Sequence, residues 1–164
     1  MAEEEIKDVT AETSALLKTM LEKMFNENYT IKDLQGLTDE QIESVYSLGY
    51  NFYRAGNYKD AAKIFHYLCL EDHLEKKYWI ALGAAEQMEK NYSGAVKAYA
   101  YASMLDLKDP RPQLHAAECY IALKDKENAI SALTAVLEFC PDVPEKKSYR
   151  DRALALQALL ENAK

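Results

Sequence analysis

Apolar residues along this chain recur three and four positions apart rather than alternating, so the pattern predicts helices from end to end. Leu16, Leu17, Met20, Leu21, Met24 and Phe25 fall on one stripe of a first helix, which Thr13 or Ser14 can cap and which runs to about Asn28. Residues 31–37 give a short turn of helix. Thr38-Asp39-Glu40-Gln41 reads as a capping box, with the Thr38 hydroxyl accepting one orphan N–H and Gln41 reaching back. Asp109-Pro110 sets a cap before a proline at a first helical position, and Ala55-Gly56-Asn57 and Glu89-Lys90-Asn91 mark tight turns between helices. Pro144 opens a last helix to about Asn162, whose Leu154, Leu156, Leu159 and Leu160 can cover an open end.

Between these flanks the pattern repeats. Three windows of 34 residues, 42–75, 76–109 and 110–143, align without a gap. The first gives Leu48-Gly49, Phe52, Gly56, Tyr58, Ala61 and Phe65; the second gives Trp79, Leu82-Gly83, Tyr92, Ala95, Tyr99 and Ala102. The third is weaker, with Ala116-Ala117, Tyr120, Ala129, Leu133 and Pro141. This is the period and the residue pattern of the tetratricopeptide repeat (TPR), a pair of antiparallel helices. Gly49, Gly83 and Ala117 are small because the two helices of a hairpin cross there, and Leu48 and Phe52 are expected in the core. The predicted fold is an all-α, right-handed TPR superhelix. It has an N-terminal helical arm (1–41), three hairpins (42–143) and a C-terminal capping helix (144–164).

Composition narrows the function. The net charge is -7, and residues 1–75 account for -8 of it against +1 for the remainder, with no Lys/Arg stripe anywhere. An acidic front half repels phosphate backbones, which argues against nucleic acid. Glu3-Glu4-Glu5 near the start is unlike a signal peptide, and charges interrupt every apolar segment, so no membrane insertion and a cytoplasmic location are expected. Cys69, Cys119 and Cys140 read as small core hydrophobes.

In a TPR array the first helix of each hairpin lines a concave groove. The register turns Glu43, Tyr46, Tyr50 and Tyr53 inward from the first hairpin. It adds Lys77, Ile80, Ala81, Ala84 and Gln87 from the second, and Arg111, Leu114, His115, Glu118 and Ile121 from the third. Tyr46, Tyr50 and Tyr53 share one face and exceed what the repeat needs for packing; the alternative is that they pad the core. His115 and Cys119 stand at i, i+4 without a third ligand at suitable spacing, and no G-x-S-x-G elbow or Gly-rich phosphate loop exists. Neither a metal, a cofactor nor an enzyme activity is expected. An acid–base pair of His115 and Glu118 would lack a pocket motif. A clamp for a C-terminal carboxylate would need Lys and Asn where Tyr46 and Tyr50 stand.

Several motifs are more specific than a generic repeat. Tyr46-Ser-Leu-Gly-Tyr-Asn-Phe-Tyr53, Gly56-Asn-Tyr58-Lys-Asp-Ala61, Leu68-Cys69, Asp72-His73 and Tyr99-Ala-Tyr101 stand in order, followed by Asp109-Pro110-Arg111 and His115-Ala-Ala-Glu118-Cys119. Over roughly residues 30–140 the chain resembles the class II type III secretion chaperones, the SycD/LcrH/IpgC-type translocator chaperones. The resemblance implies a bacterial cytoplasmic protein that holds hydrophobic translocators before export by clasping an extended client segment. It places Tyr46, Tyr50 and Tyr53 at aromatic groove positions and Ile80 and Ala84 at a pocket. It also implies a homodimer through the N-terminal helix or first repeat, here the stripe from Leu16 to Phe25, and in some members assistance to a transcriptional activator. A generic TPR adaptor for another peptide is the alternative. Two departures from the family stand out: Leu114 where an aromatic is common, and no glycine in Lys124-Asp125-Lys126.

Overall fold

The computed structural model describes residues 13–23 and 26–162, so the stripe positions Met24 and Phe25 lie outside it. The described residues form helices and no strand. Residues 13–23 make α1, and α2 (Ile31–Gln35) follows. Three hairpins come next: α3 (Asp39–Arg54) with α4 (Tyr58–Glu71), α5 (Lys76–Met88) with α6 (Tyr92–Leu105), and α7 (Pro110–Ala122) with α8 (Lys126–Phe139). A 3₁₀ turn, Pro144–Lys146, leads into α9 (Lys147–Asn162), so Pro144 begins a turn rather than the final helix itself. Each helix from α3 to α9 packs mainly on its sequence neighbours, which is how a stacked array is held together.

The period is written into the turns and caps. Asn57, Asn91 and Asp125, spaced 34 apart, cap α4, α6 and α8, each accepting from the N–H three residues on. The residues just before them, Gly56, Lys90 and Lys124, all take the left-handed conformation, with φ of 79°, 64° and 61°. A turn of this shape usually recruits glycine; here the first hairpin has it and the next two hold lysines in the same geometry. The Thr38 capping box forms as expected, and a second one, Thr30 with Asp33, opens α2.

Packing follows the same register. Ala61, Ala95 and Ala129 are fully buried, and Phe65, Tyr99 and Leu133 fill the space beside them. A Cβ on Gly49 would sit 2.8 Å from the Phe65 ring and one on Gly83 2.6 Å from the Tyr99 ring. Where the partner is the smaller Leu133, the chain has Ala117 instead. The cysteines are buried free thiols. Desolvation raises Cys69 to about 12 and Cys119 to about 11, which suits inert packing groups.

Two core expectations need correcting. Leu48 is half exposed, whereas its repeat equivalents Leu82 and Ala116 are buried. That face packs on the preceding hairpin, and among the described residues no hairpin precedes the first. In α9, Ala153 with Tyr149, Leu156 and Leu160 seals the last hairpin, while Leu154 and Leu159 face outward. Arg150 fastens α9 by donating to the carbonyls of Leu137 (2.8 Å) and Cys140 (2.9 Å) at the end of α8.

Candidate peptide-binding groove

Helices α3, α5 and α7 contribute to one groove because the register repeats their faces every 34 residues. Tyr46, Tyr50, Tyr53, Ile80, Ala81, Ala84 and Lys77 line a single cavity of about 270 Å³. Phe65, Lys76 and Arg111 complete its lining. Small and branched side chains on α5 form the floor, and tyrosines of α3 form a wall. Ala81 and Ala84 are small and leave room above the α5 backbone.

The three tyrosines divide the work. Tyr46 leans on the core, its ring 5.7 Å from both Phe65 and Tyr78. Tyr53 meets Tyr58 edge to face at 5.3 Å. Burial raises both phenols above their usual value, so both stay neutral at physiological pH. Tyr50 is 49% exposed and has the most surface to offer. Groove wall and core padding are therefore both represented within one stripe.

Cations frame this aromatic pocket. The Lys77 ammonium donates to Glu43 at 2.7 Å and lies 5.1 Å and 5.3 Å from the Tyr46 and Tyr78 ring centres. The bond to Glu43 raises its pKa above the usual lysine value. Lys76 donates to Asp106 (2.8 Å) and Asp109 (2.9 Å), and Arg111 grips Asp109 through Nε and Nη2. Burial alone would raise the Asp109 carboxyl, but the bonds from Arg111 and Lys76 outweigh it and hold it far below the usual range.

The far end is polar. Tyr99 donates to Gln87 at 2.8 Å, and the His115 ring stacks on Tyr99 with centres 5.4 Å apart. Glu118 lies 3.2 Å from His115 Nδ1 and 2.6 Å from Arg152 of α9. The contact with His115, then that with Arg152, keeps its carboxyl low despite burial. Leu114 departs from the sequence expectation: it is 2% exposed, packed with Ala117, Leu133 and Val136, and offers a ligand nothing. A leucine at this position can sink into the hairpin, where the equivalent Tyr46 is too large to do so. Phe65 and Lys76 line the pocket although the repeat register does not turn them into the groove. Phe65 belongs to the packing pattern, and Lys76 occupies the register of buried Ile42, so periodicity pointed both away from the groove.

Two Tetratricopeptide repeat family models match the chain, one over residues 42–72 and 77–109 and the other over 113–142, which defines the class. Low calcium response locus protein H of Yersinia pseudotuberculosis is 35% identical over 127 residues, 77% of this chain and 76% of that protein. The type III secretion translocator chaperone SycD of Yersinia enterocolitica superposes with a TM-score of 0.72 at 34% identity, covering 80% of this chain and 98% of SycD. PcrH, solved in complex with the chaperone binding region of PopD, gives a TM-score of 0.71 at 35% identity, covering 77% and 95%. The chain belongs to the family of TPR-type chaperones for type III secretion translocators.

Proposed function

We propose that this protein is a bacterial cytoplasmic chaperone, without catalytic activity, for the hydrophobic translocators of a type III secretion system. It holds an extended client segment in the concave groove and so keeps the client soluble and unassembled before export. One observation carries this reading most: a tyrosine wall over an Ile80-Ala81-Ala84 floor, in a chain similar along most of its length to PcrH bound to its client's chaperone binding region. An apolar floor suits branched or proline side chains, and phenolic hydroxyls keep the empty groove wettable. Among the described residues no helix is long and apolar enough to cross a membrane.

The N-terminal arm fits self-association. Leu16, Leu17 and Leu21 are each more than 40% exposed along α1, Met20 is partly buried, and Leu48 in the first hairpin is open as well. A second copy is the partner that would cover them. Affinity capture from a bacterium carrying the secretion system, read by mass spectrometry, tests the function. The expected prey is a protein with membrane-spanning segments that remains soluble only in the complex; recovery of heat-shock proteins instead would favour a generic co-chaperone adaptor.

A further inference from the structure

Every charged residue lining the aromatic pocket is a cation: Lys76, Lys77 and Arg111. Their carboxylate partners lie off the lining. Asp109 is only 7% exposed beneath Lys76 and Arg111, while Asp106 and Glu43 stand outside the cavity. Lys76 is 25% exposed and spends itself on two aspartates. Lys77 and Arg111 are different, with 42% and 51% of their side chains exposed. An ammonium has three donors, of which one serves Glu43; a guanidinium has five, and Asp109 engages only the Nε and Nη2 side. Both cations therefore retain N–H groups beside an apolar cavity, where a charge–charge contact is screened less than on open surface.

We propose that the client segment carries a side-chain carboxylate next to the apolar residue that fills this pocket, and that Lys77 and Arg111 read it. The inference rests on the groove reading above and adds a charge to the ligand's description. Lys77 and Arg111 occupy equivalent positions in successive hairpins, 34 residues apart, so they stand in a row along one edge of the groove. A row of donors suits an acidic side chain on a segment running through, more than a chain end held at one point. The planar guanidinium is also the cation best shaped for a carboxylate.

Titration calorimetry on the full-length protein separates the possibilities. Three ten-residue peptides each carry one Pro and one Leu, the proline and branched side chains that the apolar floor suits. One has Glu beside the Leu and blocked ends, the second has Gln there, and the third has Gln and a free C-terminal carboxylate directly after the Leu. The Glu peptide should bind roughly 3- to 10-fold tighter than its Gln twin, with the gap closing at high salt. In Lys77→Gln and Arg111→Gln the Glu-to-Gln ratio should fall towards one. Lys77→Gln leaves the Asp109 cap untouched and serves if Arg111→Gln fails to fold. Equal affinity of the first two peptides, or tightest binding of the third, would overturn the proposal while leaving the groove intact. Failure of all three to bind would instead remove the groove reading on which it stands.

Discussion

Gly83 shows how little room a single residue has in this fold. Its missing Cβ would fall 2.6 to 2.9 Å from three atoms of the Tyr99 ring, which is itself buried and tied to Gln87. Gly83→Ala should therefore destabilise the protein by about 1–3 kcal/mol, the usual cost of overpacking. A denaturant midpoint equal to wild type would mean that the hairpin can open without loss. Asp109 should contribute most to the acid response, because it is the most deeply buried of the ion-paired aspartates around the groove. Its carboxyl is held far below the ordinary value in the folded protein, so its contribution is complete above about pH 4 and fades as pH falls through the folded value. Melting curves should show the midpoint dropping steeply with acid. Asp109→Asn should start lower at neutral pH and fall less; an unchanged slope would assign the acid response to other carboxylates. The 34-residue spacing of Gly49, Gly83 and Ala117 made these close crossings legible before any coordinates. The spacing could not reveal the bond from Lys76 to Asp109, because it joins consecutive hairpins and Lys76 stands where the preceding repeat has Ile42.

Among the elements, the hairpins were the most readable and the flanks the least. Caps at Asn57, Asn91 and Asp125 and turns at 56, 90 and 124 recur in register, and each follows from local chemistry. Flanking helices pack on whatever is beside them, which a sequence stripe does not specify. The leucine pattern of the last helix predicts Leu154, Leu156, Leu159 and Leu160 as sealing residues, yet of these α9 turns only Leu156 and Leu160 inward. Leu114 and Leu48 illustrate the same limit, since burial of a motif position depends on having a neighbouring hairpin and on side-chain size. In α1 the exposed leucines make a prediction. Replacing Leu16, Leu17 and Leu21 with serine should shift the protein from dimer to monomer in light scattering across a dilution series, with melting of the repeats nearly unaltered. A wild-type protein that is already monomeric at high micromolar concentration would contradict the assignment of this stripe to self-association.

The whole molecule is a short superhelix whose inner surface changes character along its length. Aromatic and small apolar groups from the first two hairpins give way to His115, Glu118 and Arg152 at the third, where α9 is tied to the groove by a 2.6 Å ion pair. Its core and its groove share Tyr46 and Phe65, but Tyr50 is half exposed, so binding and stability should be separable at that position. Tyr50 is the residue that tests this, being half exposed and lining the pocket while Phe65, Leu82 and Tyr99 carry the packing behind it. The decisive measurement is the affinity of Tyr50→Ala for an extended Pro/Leu-bearing client peptide, taken together with its thermal midpoint. A loss of about 1–3 kcal/mol in binding, as expected for a buried interface anchor, with a midpoint close to wild type is the predicted result. A variant that melts early yet binds the peptide with undiminished affinity per folded molecule would contradict the groove as the client-holding surface.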